Sequence, residues 1–290
     1  RIEEGMALIL EEIGIAVPDE SIRERLLNCG FRVQDDRVLI PREEMRTFLH
    51  TERKQNGDTF SVGPRPVETS SARLELSVSP YPQHLHDIAT DKIVPFETDR
   101  LIGATKLVDV LSSRGVVSGP PGCPADAPPP LQPIVQYWIG ATYSRNGRHP
   151  VDPKSGESLP YVMEMAEVLG NRLQRLPVYV FSPLTLGGES LNCVLKVKEK
   201  LSSVSVSDMS SPGCTAPIRP GDAFALSAAE VIGSARLVQE LTDLPVSWSI
   251  RLCPIDLSSM AMTLGSPEDF LFQLANAEAN AFFHGTRWDP

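Results

Sequence analysis

From about residue 96 onward the chain repeats one pattern, in which an apolar run of about five residues gives way to a helical period and then to another apolar run. That rhythm constrains the fold more than any other feature, because strands that alternate with helices build βαβ units and a parallel sheet. The spacing predicts strands at 115–119, 178–181, 203–207 and 246–250, with a weaker one near Val151. Helices are predicted at 97–113, 131–143, 158–170, 190–201, 217–241 and 266–284. The fold class is therefore α/β, and the count is about five β/α units. A (β/α)8 TIM-type barrel needs eight strands. With only part of that number, two parallel edges and an apolar sheet face stay uncovered, so this is read as an incomplete barrel whose later strands lie beyond Pro290. The alternative is an open doubly wound sheet, which can stop sooner but usually carries a phosphate-binding glycine pattern in its first turn. Neither G-x-G-x-x-G nor G-x-x-x-x-G-K occurs.

Residues 1–95 read differently, as an amino-terminal α+β cap ahead of the barrel units in 96–290. Met6, Leu8, Ile9, Ile13 and Ile15 follow a helical stripe, Asp19 or Ser21 can cap a second helix, and Gly30 ends it. Phe31 and Val33, then Val38 and Ile40, alternate around Asp35 and Asp36 as a hairpin does, and Pro41 opens another helix. Short strands are predicted around Phe60/Val62 and Leu74/Leu76/Val78.

Charge and cysteine usage exclude several partners. A formal net charge of -10 leaves no surplus of cations to displace counterions from a phosphate backbone, so no nucleic acid is expected. The 5 cysteines are spread out with no C-x-x-C pair, which signals neither a disulfide framework nor a zinc knuckle. No run approaches the roughly 18 apolar residues of a membrane span, and the first residues lack the layout of a secretory signal. No membrane association and a cytoplasmic location are expected. The chain starts without Met and stops just after a helical run, which is how a fragment ends.

Several segments resemble the trimethylamine methyltransferase family. They are the run from Leu10 to Pro18, Cys29-Gly30, the Val38 to Pro41 piece, His86-Asp87, and the helix start near Thr98 and Asp99. The fullest piece is Gly213-Cys214-Thr215-Ala216-Pro217 followed by Ala228-Ala229-Glu230-Val231-Ile232, with Ile255-Asp256-Leu257 and Gly265-Ser266-Pro267-Glu268 next in order. The resemblance implies an eight-stranded barrel that moves a methyl group from a methylated or quaternary amine, of trimethylamine or betaine type, to the cobalt of a corrinoid (cobalamin) carried by a separate partner protein. It implies no metal bound directly by this chain and a homo-oligomer at full length. Some members of the family use pyrrolysine in the later strands, beyond this sequence. The proline-rich stretch 121–133 and Asp208 depart from the family's pattern.

In barrels the reacting groups sit on loops after the carboxyl ends of strands. A cationic amine needs a pocket that tolerates positive charge, and aromatic faces supply that attraction. Tyr179, Phe181 and Trp248 stand on strands suited to the task, with packing of the core as their plainer role. Asp208, Glu230 and Asp256 are the candidate catalytic carboxylates, able to stabilise a substrate cation. Glu230 lies in an otherwise apolar helical stretch, so it is either solvated or buried with a partner. Asp256 is otherwise a turn or helix cap. Ser182, Gly213 and Arg251 complete the expected substrate-binding set at the strand ends, all opening onto one cavity. His84-x-His86 invites a metal-dependent barrel hydrolase as a rival, but the strand-end loops hold no further histidine. Cys123, Cys214 and Cys253 offer a thiolate site or, more plainly, buried cysteines. A non-catalytic, barrel-derived binding protein is the remaining alternative. With strands missing, the 290 residues alone are expected to be inactive and prone to aggregate.

Overall fold

The structure, a computed structural model, describes residues 1–59, 78–116, 119–145, 147 and 155–285. In chain order the first elements are α1 (Ile2–Glu12), β1 (Ile15–Ala16), α2 (Glu20–Asn28), β2 (Arg32–Gln34), β3 (Arg37–Leu39) and α3 (Arg42–Thr59). Next come β4 (His84–Asp87), β5 (Lys92–Pro95), α4 (Thr98–Leu111), α5 (Gln132–Tyr143) and α6 (Leu159–Val168). The last are β6 (Arg175–Tyr179), α7 (Gly188–Val197), β7 (Ser203–Ser207), α8 (Pro220–Thr242), β8 (Val246–Ser249), β9 (Ile255–Asp256), β10 (Ala261–Met262) and α9 (Pro267–His284). The chain divides into two compact units, residues 1–66 with 177–290, and residues 67–176.

In the first unit, α1 buries Met6, Ala7 and Leu10, and Ile13 is its C-cap, just before Gly14. Gly14 sits at φ +72, and its amide donates to the Ile9 carbonyl at 2.9 Å, closing the last turn. Asp19 caps α2 by accepting from the amides of Ser21 (2.9 Å) and Ile22 (3.2 Å). The hairpin around Asp35 and Asp36 forms with Val33 opposite Val38, and Asp35 takes a positive φ of 54° at the turn. β1 adds to the other side of β3, giving the order β1-β3-β2.

The carboxyl-terminal part is a run of alternating strands and helices with the sheet order β6-β7-β8, and β7 pairs parallel with β8. Val204 lies opposite Val246 and Val206 opposite Trp248, so these four side chains share one face. All four are buried, and α8 packs against both strands. α8 in turn crosses α1 closely: a Cβ at Gly233 would come within 2.5 Å of Leu10 Cδ2. The strands and helices predicted at 178–181, 203–207, 246–250, 190–201, 217–241 and 266–284 correspond to β6 to β8 and α7 to α9.

Two expectations about uncovered surface are corrected. The other face of β7 and β8 is not apolar: it carries Ser203, Ser205 and Ser207, half-buried, and Ser247 and Ser249, exposed. The outer edge beyond β8 is not bare either, because three α9 side chains one turn apart serve its backbone. Asn276 accepts from the Leu252 amide at 3.0 Å and donates to the Leu252 carbonyl at 2.9 Å. Asn280 does the same for Ile250, at 2.8 and 2.9 Å. His284 Nε2 lies 3.1 Å from the Trp248 carbonyl, which requires the proton on that nitrogen. Burial lowers the His284 pKa, favouring this neutral form. Replacing buried Asn276 with leucine strands the Leu252 amide and carbonyl, and is expected to cost about 2 kcal/mol. A denaturant midpoint equal to wild type would contradict this.

The second unit holds α4, α5, α6 and the antiparallel hairpin of β4 and β5. Phe96, Leu101 and Ile139 form one apolar cluster, and Tyr137, Val162 and Ala166 another. His84 and His86 stand on β4, where His86 pairs with Asp91 at 2.8 Å. Gly115 ends a 3-10 turn after α4, with φ +93. The strands predicted at 115–119, near Val151 and around Phe60/Val62 and Leu74/Leu76 fall wholly or partly outside the described residues.

Candidate active site

Each strand of the β6-β7-β8 sheet is followed by a hydrogen-bonded segment, a closed turn after β6 and after β7 and an irregular stretch after β8. After β6, Phe181 and Thr185 exchange both backbone hydrogen bonds at 2.9 Å, closing a loop that holds Ser182 and Leu184. Leu184 is buried at a positive φ of 49°, a conformation that side chains rarely adopt and that must be held by its surroundings. After β7, the Ser211 carbonyl accepts from the amides of Cys214, Thr215 and Ala216 at 3.0 to 3.1 Å, with Gly213 at φ +84. After β8, the Cys253 amide donates to the Ser210 carbonyl at 2.9 Å, tying this stretch to the segment after β7.

Beneath these turns sit two buried carboxyls. Glu230, near the middle of α8, is fully buried, and Asp208, the first residue after β7, is nearly so. Glu230 Oε1 accepts from the Leu184 amide at 2.8 Å, which holds that residue's unusual backbone. Glu230 Oε2 lies 2.7 Å from Ser182 Oγ and 2.6 Å from Ser210 Oγ. Asp208 Oδ2 lies 2.6 Å from both Ser210 Oγ and Ser227 Oγ, and Oδ1 accepts from the Arg251 amide at 3.0 Å. Burial pushes the Asp208 pKa up to about 7. The neighbouring Glu230 charge adds to the rise, while hydrogen bonds from Ser210, Ser227 and the Arg251 amide oppose it.

The structure joins Asp208, Glu230 and Ser182, three of the residues expected from the sequence, and the Arg251 backbone in one hydrogen-bonded network. A solvated Glu230 is ruled out by its burial, and the partners it required are the serines and the Leu184 amide. Ser210 and Ser227 were not singled out. Ser227 precedes Glu230 by one helical turn, which places both on the same helix face, and that spacing is the signal that could have found it.

Other candidates lie outside the network. Asp256 is exposed and bonds its own turn, accepting from the Ser258 amide at 2.9 Å and from Ser259 Oγ at 2.6 Å. The Ser259 hydroxyl and the other donors of that turn hold its pKa down to about 2. Gly213 lies in the second turn against Leu257. Arg251 exposes its side chain. Tyr179 is half-buried and Phe181 is exposed, so both can offer a ring face. Trp248 cannot: it is buried on the α8 side of the sheet and stacks on His284, ring centroids 3.8 Å apart. Its aromatic role is corrected to packing, since its strand position points it away from the serine face. Cys214 is exposed, and Cys253 is buried with its pKa raised by that burial. Among the described residues no group of three His, Cys, Asp or Glu side chains stands together as a metal site. A cavity of about 550 Å³ is lined by Ile2, Phe224, Ala275 and Phe282 among others, and by none of the candidate site residues.

Set against known protein families, residues 1–283 match the family described as trimethylamine methyltransferase (MTTB). No curated protein matches the chain.

Proposed function

The chain belongs to the trimethylamine methyltransferase family, and from that premise we propose that it transfers a methyl group from a methylated or quaternary amine to the cobalt of a corrinoid protein. The family match over residues 1–283 carries this reading. The alternation from β6 to α9, with parallel pairing of β7 and β8, supports the eight-stranded barrel as its frame.

The corrinoid supplies the methyl acceptor, and its place is on the partner. The oxygens of Asp208, Glu230, Ser210 and Ser227 at the strand ends are hydrogen-bonded to one another. The chain's own task is to hold a cation. The buried Asp208–Glu230 pair places negative charge under the strand ends, in surroundings where little water screens it. Tyr179 and Phe181 offer aromatic faces, each worth roughly 0.5–2 kcal/mol to a cation. Asp256 is ionised at any working pH and exposed, so it serves to attract the amine rather than to enclose it.

The test uses the protein carrying all eight strands, with cob(I)alamin or its corrinoid protein and, in turn, trimethylamine and betaines. Methylcobalamin is expected to form, read as a change in the cobalamin absorption spectrum. An unchanged spectrum with every amine, while the same cob(I)alamin still reacts with methyl iodide, would sink the proposal.

A further inference from the structure

Ser210 Oγ lies 2.6 Å from Asp208 Oδ2 and 2.6 Å from Glu230 Oε2, yet a hydroxyl owns one proton and can donate to only one of them. The same shortage runs through the whole cluster. Its close oxygen pairs are Ser210–Asp208, Ser210–Glu230, Ser182–Glu230, Ser182–Ser210 and Ser227–Asp208, all between 2.6 and 2.8 Å. Three hydroxyl protons can satisfy three of these pairs. With both carboxyls ionised, two pairs are left as bare oxygens facing each other at hydrogen-bond distance, one of them involving a carboxylate, in a cluster that is buried except at half-buried Ser182. One added proton on Asp208 Oδ2 repairs most of this: Asp208 donates to Ser210, Ser210 and Ser182 donate to Glu230, and Ser227 donates to Asp208.

We infer that Asp208 and Glu230 together hold one proton, relayed through Ser210, and that this proton keeps the three strand-end segments in place. The cluster touches each turn by a different bond: Glu230 takes the Leu184 amide after β6, Ser210 belongs to the segment after β7, and Asp208 takes the Arg251 amide after β8. Removing the proton puts two like charges on either side of one serine, and the bonds that set the turns weaken. Asp208, Glu230 and Ser210 are therefore positioning residues for the candidate site, whatever substrate it takes. The charged and titratable groups facing Asp208 are Glu230 from α8 and, from the end of β8, Arg251 and the Cys253 thiol. The raised pKa of Asp208 agrees in sign. A carboxyl with a raised folded pKa contributes stability that is complete below its unfolded value of 3.8 and is lost as pH climbs through about 7.

Infrared spectroscopy of the protein in heavy water at about pH 6 tests this, since ordinary carboxyls are ionised there. The wild type is expected to show the carbonyl stretch of a neutral carboxylic acid, and Asp208→Asn and Glu230→Gln each to lose it. An amide has the shape of the neutral acid and supplies the missing donor. Either variant should therefore keep the turns but not their pH response. Hydrogen exchange at the Leu184 and Arg251 amides should speed up beyond the intrinsic pH effect between about pH 6 and about pH 8 in the wild type. In the amide variants that excess should vanish. No acid band in the wild type would overturn the inference, a reading that needs no variant to fold. So would an unchanged excess exchange in both variants.

Discussion

Glu230→Ala is expected to destabilise the first unit by about 3–5 kcal/mol, the range seen when one member of a buried charged network is removed. Four groups lose a partner at once. The Leu184 amide, which Glu230 holds at 2.8 Å, loses its acceptor in a buried turn at positive φ. Ser182 and Ser210 lose the acceptor at 2.7 and 2.6 Å, and Asp208 keeps its burial while the neighbour sharing its proton is gone. The truncation also empties the space of a side chain in the core of α8. Equilibrium unfolding in urea, followed by circular dichroism, should show the loss as a lower midpoint. Glu230→Gln should retain most of the stability, and that contrast separates loss of hydrogen bonding from loss of charge. Equal midpoints for wild type and Glu230→Ala would mean that the carboxyl is not the centre of the turns.

Gly14→Val should cost about 3 kcal/mol or more, through a different mechanism. Gly14 holds φ +72 where α1 ends, a region that a β-branched residue enters only under strain. There is also no room: a Cβ would lie 2.4 Å from the Val38 carbonyl oxygen, a backbone atom that cannot swing aside. The Gly14 carbonyl further accepts from Arg37 Nη1 at 3.2 Å, so a shift of this corner disturbs the sheet that contains β3. Gly30, also at positive φ but with open space around its missing Cβ, is the internal control, and Gly30→Ala should cost less. If both variants melt together with the wild type, the close approach at Gly14 is not real.

Periodicity made the helices and the parallel strands legible. In β7 the sequence Ser-Val-Ser-Val-Ser alternates so cleanly that its buried face can be read without a structure. Trp248 was harder. A large aromatic on a strand suits either face, and only its register opposite Val206 assigns it to the packed side. Asp208 and Glu230 stood out because carboxyls are rare in apolar surroundings, but their partnership spans 22 positions and passes through a serine that looks like any other. Asp256 looked equivalent by residue type, yet the serines two and three positions on turn it into the anchor of its own loop. The backbone donors from Leu184 and Arg251 were invisible to any reading by side-chain type, since an amide carries no residue signature.

The row of Asn276, Asn280 and His284 makes α9 an impostor strand. It offers the far edge of β8 the donors and acceptors that a neighbouring strand would bring, at the positions of Trp248, Ile250 and Leu252. At Ile250 and Leu252 that edge is taken, because each amide has one proton and gives it to an α9 asparagine. A stray strand from another molecule meets an edge already taken over those residues.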